Sequence, residues 1–491
     1  MHIRVRFAPS PTGHLHIGGA RTALFNYLFA RQNRGTMILR IEDTDTVRNQ
    51  AKAQETLLSG LRWLGIEWDE GPDAGGNYGP YISSQRSHIH QEQLQRLLRQ
   101  KNAYPCFCSP KRLDDLREQA KQENKPFQYP GTCRLLTKQE IADRLASGEK
   151  PAYRFRVPHG ETVEIVDSVR GTVSFSTDDL GDFLIYKANQ QPLFNFAVTV
   201  DDILMKITHV IRGEEHLPNT PSQILLFHAL GHTPPKFAHL PLILNMEGKK
   251  LSKRDASIDQ FIDCYQERGY LPEAIINFIS LLGWSPAPGI EEELFSLPEL
   301  IKQFSLQRVH KAGAIFDPGK LQWMNGQYIR RLSRKQLTKL ALPYLQKVGY
   351  IDGTKDRGKL SDIISLFQTS LQEIGEIATH TKFIFQPEQE IDPDAKTILT
   401  EPESQRVTEA FLEKIQFINP MFSVEDMRSL LKEVQKSTNL RGKKLFLPVR
   451  ACCTGKTQGP DLPHLLHCLG REEILYRSRL YLKQVGIPHS L

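Results

Sequence analysis

The sequence predicts an α/β fold: a parallel sheet covered by helices, interrupted by an inserted domain and followed by an all-α region. Three observations carry that expectation. Strand-like and helix-like patterns alternate over residues 1 to about 105 and resume near Phe194, the character changes between 106 and 188, and beyond about 325 the pattern is overwhelmingly helical. A length of 491 residues exceeds one ordinary core and fits about three domains.

Taken in order, Ile3-Arg4-Val5-Arg6-Phe7 places apolar side chains on one face at period two, as a strand with one buried face does. Residues 20–31 put Ala20, Leu24, Tyr27 and Leu28 on one stripe, which predicts a helix. Met37 to Ile41 reads as the next strand, residues 47–64 as a helix, and a long helix follows Ser83. Ligands in such folds bind beyond the carboxyl ends of the strands. The turns Ala8-Pro9-Ser10-Pro11-Thr12-Gly13 and Glu42-Asp43-Thr44-Asp45 are therefore expected to face one site.

The segment 106–188 brings a cysteine cluster, a charged helix and short strands such as Tyr153 to Val157. Val198-Thr199-Val200 and His209-Val210-Ile211 read as buried strands, so the first domain is discontinuous in sequence. Ala274 to Trp284 reads as a core helix, and further helices are predicted over 335–348, 360–378, 405–418, 424–435 and 463–469. No internal repeat and no low-complexity tract is present.

Composition excludes some classes of function. With 40% hydrophobic and 24% charged residues the chain reads as soluble and globular. No apolar run reaches the roughly 20 residues of a membrane span, and Pro9 and Pro11 break the N-terminus where a secretory signal would need its apolar core. Seven cysteines, an odd number, argue against a disulfide framework and for a reducing compartment, so a cytoplasmic location is expected. The net charge of +7 permits a polyanionic partner and equally fits a solvated basic surface.

Two motifs carry chemistry. In His14-Leu15-His16-Ile17-Gly18-Gly19-Ala20-Arg21, the glycines let the backbone approach a ligand and the N–H groups opening the helix attract negative charge. His16 can add a donor. In Asn245-Met246-Glu247-Gly248-Lys249-Lys250-Leu251-Ser252-Lys253-Arg254, four cations and a serine on a glycine-led loop could neutralise a triphosphate. Either motif alone reads equally as a tight turn or a solvated charge run.

Together they carry a resemblance. His16-Ile17-Gly18-Gly19 resembles the HIGH signature of class I aminoacyl-tRNA synthetases, and Lys250-Leu251-Ser252-Lys253-Arg254 their KMSKS signature. The stretches Arg6 to Gly13, Leu39 to Asp45, Val200-Asp201-Asp202, Val210 to His216 and Leu321 to Gly326 are similar to bacterial-type glutamyl-tRNA synthetases, and the likeness covers essentially the whole chain. It implies a Rossmann-type catalytic domain in two halves, 1–105 and 189–240, with an inserted acceptor-end-binding domain at 106–188. A stem-contact region at 241–325 carrying the signature loop and a helical anticodon-binding region at 326–491 complete it.

The resemblance further implies ligation of L-glutamate to tRNA(Glu) through a glutamyl-adenylate, using ATP with Mg2+, by a monomer. Such phosphoryl chemistry needs positioning and charge stabilisation more than a protein nucleophile. His16, Lys250 and Lys253 would be catalytic, and the ATP site would add Gly18, Gly19, Ser252 and Arg254. Arg6 and Arg212 would hold the substrate's acidic groups, and Glu42 would face its amino group with Ser10 close by. Ala8, Phe194 and Val198 would line the same pocket. Phe194 stands where the family commonly has tyrosine.

Cys106, Cys108 and Cys133 keep the spacing of a zinc knuckle, with Leu135 where a histidine ligand is expected. Tyr129 matches a tyrosine ligand of a truncated paralogue, so Cys106, Cys108, Tyr129 and Cys133 would bind a structural Zn2+; three reduced cysteines left from a lost site are the alternative. Arg441-Gly442-Lys443-Lys444 and Arg450 offer phosphate contacts. No arginine lies between Leu360 and Ile377, where some members use one to exclude tRNA for glutamine. A non-discriminating enzyme that also charges tRNA(Gln) and a catalytically silent RNA-binding homologue are the other readings. The helical patterns after 325 oppose the glutamine enzymes, whose anticodon region is built of β-barrels.

Overall fold

The N-terminal alternation forms β1 (Arg4–Phe7), every residue of which is buried. It pairs in parallel with β2 (Thr36–Leu39), Val5 standing opposite Met37. Between them runs α1 (Ile17–Gln32), which starts three residues before the predicted stripe because the His16 ring caps it. The structure, a computed structural model, describes residues 2–11, 13–43, 51–125, 127–251, 258–351, 357–388 and 390–487. Thr12, Thr44, Asp45, Ser252, Lys253 and Arg254 lie outside the described residues.

The chain forms two compact units, one of Met1–Cys264 with Ile275–Pro318 and one of Tyr265–Ala274 with Gly319–Leu491. In the first, α2 (Ala51–Trp63), a 3-10 turn at Ser83–Arg86 and α3 (Ser87–Arg99) lead to β3 (Ala103–Cys106). Next come α4 (Pro110–Gln122) and α5 (Lys138–Ala146), then β4 (Ala152–Phe155), β5 (Thr162–Asp167), β6 (Gly171–Ser176), α6 (Thr177–Leu180) and β7 (Leu184–Tyr186). Strands β3, β4 and β7 make a small antiparallel sheet beside a cluster of Tyr104, Cys106, Leu113, Tyr129 and Cys133.

The remaining elements of this unit are α7 (Phe194–Leu204), β8 (His209–Gly213), α8 (Thr220–Ala229), β9 (Lys236–Leu240), β10 (Ile243–Leu244) and β11 (Ala314–Ile315). One sheet has the order β6-β5-β9-β8, with β9 parallel to both β8 and β5. The hairpin β5–β6, which falls within 106–188, is thereby hydrogen-bonded to a strand from beyond that segment, Ser168 N donating to Phe237 O at 2.8 Å. Thr208 N donates to Arg4 O at 2.9 Å, which ties the start of β8 to β1.

One element differs in kind from its prediction. Val198-Thr199-Val200 is the middle of helix α7, not a strand. Every residue from Phe196 to Asp202 is buried, so no polar face reveals the helical period, and the β-branched run imitates a strand. Burial of two adjacent acids is possible because each meets cations. Asp201 accepts from Arg86 Nε at 2.6 Å, His90 Nε2 at 2.9 Å and Ser83 Oγ at 3.1 Å. Asp202 accepts from Arg40 Nη1 at 2.7 Å and Arg6 Nε at 3.2 Å.

The second unit is helical and packs one apolar core through Ile364, Phe411, Val434 and Val449. Its helices include Arg334–Lys347, Pro402–Ile415, Val424–Thr438 and Leu462–Leu469, within a few residues of prediction. The helix expected over 360–378 is broken: Arg357–Phe367 ends, and a new turn starts at Ile374 with Glu373 as its cap. Among the described residues no helix is long and apolar enough to cross a membrane.

Candidate active site

The carboxyl ends of β1 and β8 open onto a cavity of about 260 Å³. Its walls combine Arg6 and Phe7 of β1 with Ala8 to Ser10 after it, Glu42 after β2, Gly18 and Gly19 of α1, Phe194 and Val198 of α7, and Arg212 of β8. The turn and the acidic segment predicted to face one site thus do so through Ser10 and Glu42. Phe194 and Val198 are four residues apart on one helix, so both reach the same wall.

Charge is ordered around this space. Arg6 is held through Nε by Asp202, and Arg40 bridges Asp202 to Glu42 with an Nη2 to Oε1 distance of 2.9 Å. Burial raises the Glu42 carboxyl above its usual range, and Arg40 offsets this only in part. Arg212 is treated differently, since among the described residues no carboxylate pairs with it. Its Nε donates to His239 Nε2 at 3.2 Å and its Nη2 to Thr220 Oγ1 and Gln223 Oε1, both at 2.9 Å. Its Nη1 is buried without a hydrogen-bond partner. Burial and the neighbouring Arg6 charge lower its pKa to about 9, so the environment favours an arriving anion. His216, tilted against Phe194 at 5.5 Å, is lowered to about 4 by burial and by Arg212, and is neutral at ordinary pH.

The helix start is less open to a ligand than its glycines suggested. Gly18 N donates to His16 Nδ1 at 3.0 Å, Ile17 N to Gln260 O at 2.9 Å and Ala20 N to His16 O at 2.9 Å. His16 Nε2 faces Gln260 Oε1 at 2.9 Å, and neither His16 nor Lys250 lines the cavity. In the second signature Leu251 N–H bonds Ile243 O, whereas the partners of Ile17 and His16 are Gln260 and Phe261, which follow that signature in sequence. Lys250 is exposed and bridges Leu244 of β10.

A family model described as the catalytic domain of class I tRNA synthetases (E and Q) matches residues 2–323, and an anticodon-binding domain model matches 336–482. The chain belongs to the class I tRNA synthetase family. Two similar relatives bear the name glutamate-tRNA ligase. That of Halalkalibacterium halodurans is 48% identical over 97% of this chain and 98% of its own, and that of Geobacillus stearothermophilus 46% over 98% and 99%. A crystal structure of a glutamate tRNA ligase from Elizabethkingia meningosepticum, in complex with its amino acid, superposes with a TM-score of 0.91 at 36% identity, covering 99% of both chains.

In this class I tRNA synthetase the three cysteines of the knuckle converge, their Sγ atoms all within 4.8 Å of one another. Tyr129 Oη lies 3.6 Å from Cys106 Sγ and 3.5 Å from Cys108 Sγ, and Cys108 and Cys133 are 3.7 Å apart. Leu135, in the position expected to be histidine, is 86% exposed and takes no part. Cys264, Cys452, Cys453 and Cys468 form no disulfide and are not among the converging thiols. In the helical unit Lys444 pairs with Glu403 on the surface, while Arg450 is half-buried, with Nη2 on Pro460 O at 2.7 Å and Nη1 lacking a partner.

Sequence reasoning missed Arg40, Asp202, His216, His239 and Gln260. Arg40, Asp202 and His216 fall inside the stretches that carry the resemblance, and two adjacent acids inside an apolar run demand buried cations, whereas no local signal pointed to His239 or Gln260.

Proposed function

We propose that this synthetase activates L-glutamate with ATP and Mg2+ and transfers the glutamyl group to the terminal ribose of tRNA(Glu), releasing AMP and pyrophosphate. The observation that carries the substrate is the buried Arg212, a guanidinium on the cavity wall with neutral partners and a buried Nη1 that lacks one. Arg6 supplies a second cation, and Glu42 with Ser10 offers acceptors to the ammonium group. Glutamate, with two carboxylates and one ammonium, matches that order of charge. Phe194 puts an apolar ring on the wall, so side-chain recognition rests on the arginines. In the ATP reading His16 exchanges Gln260 for a phosphate oxygen, over Gly18 and Gly19, while Lys250, Lys253 and Arg254 supply the opposing charge and Ser252 a hydroxyl donor. Aminoacylation with glutamate and with glutamine, against separate transcripts of the two tRNAs, tests the assignment. Charging by glutamate is expected, and charging by glutamine alone would overturn it.

The finer parts of the reading follow the same logic. Tetrahedral zinc–sulfur bonds of about 2.3 Å set ligand atoms roughly 3.7 Å apart. The cluster of Cys106, Cys108, Tyr129 and Cys133 fits that spacing, and Arg154, 3.7 Å over the Tyr129 ring, offsets the charge of ionised ligands. About one zinc per chain is expected by metal analysis of the purified protein, and less than about one per two chains would remove the site. The inserted segment 106–188 would receive the acceptor end, and 326–491 would read the anticodon with Arg450 among its cations. The enzyme would work as a cytoplasmic monomer.

A further inference from the structure

Behind the neutral partners of Arg212 stands an ionised acid. Asp167, at the end of β5, accepts from the backbone N–H groups of Val169 at 2.9 Å, Arg170 at 2.8 Å and His239 at 3.1 Å, and from the His239 ring Nδ1 at 2.6 Å. Burial by itself would raise this carboxyl, but the bond from His239 and the backbone donors outweigh it and hold the pKa below the usual range. Facing such an acceptor, Nδ1 carries the ring proton, and Nε2 presents a lone pair. Burial lowers the His239 pKa despite Asp167, so the ring stays neutral. Arg212 Nε donates to that lone pair at 3.2 Å. A carboxylate in direct contact would neutralise the guanidinium and compete with an incoming anion. An imidazole between them passes on orientation without supplying charge.

We propose that Asp167 and His239 are positioning residues that aim Arg212 at an acidic group of the amino acid, His239 acting as a neutral spacer that leaves the guanidinium charge for the ligand. The proposal rests on the reading of Arg212 as a substrate-binding residue. Asp167 fixes the ring tautomer, and Thr220 and Gln223 fix the second edge of the guanidinium.

The test uses the full chain with ATP, Mg2+, L-glutamate and the tRNA(Glu) transcript, reading pyrophosphate exchange. His239→Asn keeps a donor toward Asp167 and loses the acceptor toward Arg212, whereas His239→Gln can place an amide oxygen where Nε2 stood and loses the donor. The Asn variant is expected to raise the glutamate KM about tenfold or more and the Gln variant less than about threefold, with the ATP KM and kcat within about twofold in both. A purely structural role in holding Asp167 predicts the opposite ranking. That ranking, or a glutamate KM within about twofold of the parent in both variants, overturns the proposal.

Asp167→Asn, which frees the tautomer, is expected to behave like His239→Asn and supplies the readout if the latter does not fold. Arg212→Lys separates the two levels of the argument. An unchanged glutamate KM there overturns the reading of Arg212, whereas a raised one with a silent His239→Asn overturns the spacer alone.

Discussion

Glu42 and Lys253, both assigned to the site in the proposed reading, call for different tests. The Glu42 carboxyl is raised by burial, so its contribution to stability is present only below its unfolded pKa and is lost as pH rises through the higher folded value. At pH 7 its charge is therefore held at a cost. Glu42→Gln is expected to melt at the same or a higher temperature at pH 7 while glutamate activation is lost. A drop in Tm of more than about 4 °C, roughly 1 kcal/mol or more, would instead make Glu42 a structural residue. Lys253 is a transition-state donor in the ATP reading, and losing one such group typically costs about 3–4 kcal/mol. Lys253→Ala should slow adenylate formation on the order of a hundredfold or more. Near-normal pyrophosphate exchange in the presence of tRNA would refute the role. At this scale the cavity lining was legible wherever a residue sits inside a motif, as Arg6, Ser10, Glu42 and Arg212 do. Asp167, Asp202 and His239 belong to the same charge order through contacts of 27 to 196 residues' separation, which no local pattern announces.

The element that departs most from its pattern, α7, is also the one on which the site depends. Its apolar, β-branched sequence hides the helical period, and only the fold reveals that Asp201 and Asp202 meet two different sets of cations. Burial would raise the Asp201 carboxyl, but the bond from His90 and the charges of Arg40, His90 and Arg86 hold it down to about 2. A depressed acid contributes stability above its unfolded pKa and loses it as pH falls through the folded value. With an unfolded value near 3.8, Asp201 should contribute about 2 kcal/mol at neutral pH, lost between roughly pH 4 and pH 2. Urea unfolding followed across that range measures it. Asp201→Asn should unfold at markedly lower urea and show a flatter dependence on pH, and an unflattened profile would remove the assignment.

Across the whole chain, fold class and order of elements were legible because the two periodicities differ clearly in most segments. Two of the helices left unassigned have clear physical reasons for silence. Lys443–Thr454 contains Pro448, ordinarily a breaker, and Arg471–Gln484 is charged around most of its circumference. In that last helix Arg477 is buried and donates Nη1 to Phe383 O at 2.7 Å and Nη2 to Ile384 O at 2.6 Å. Arg477→Ala would strand two carbonyls and is expected to destabilise the helical unit by about 3 kcal/mol, read as an earlier thermal transition by circular dichroism. A change below about 1 kcal/mol would show that water replaces the guanidinium.

The adjoining acids of α7 have one more consequence. Because neighbouring residues on a helix point about 100° apart, a slip by a single position would carry one carboxylate into its neighbour's place and leave the other buried without its cations. The register of the helix is thus locked from its interior, independently of what Phe194 and Val198 present to the cavity. If the cavity is the amino-acid pocket of the proposed function, those two positions are the natural places to re-engineer which amino acid is accepted, since their side chains can be exchanged while the backbone beneath them stays anchored.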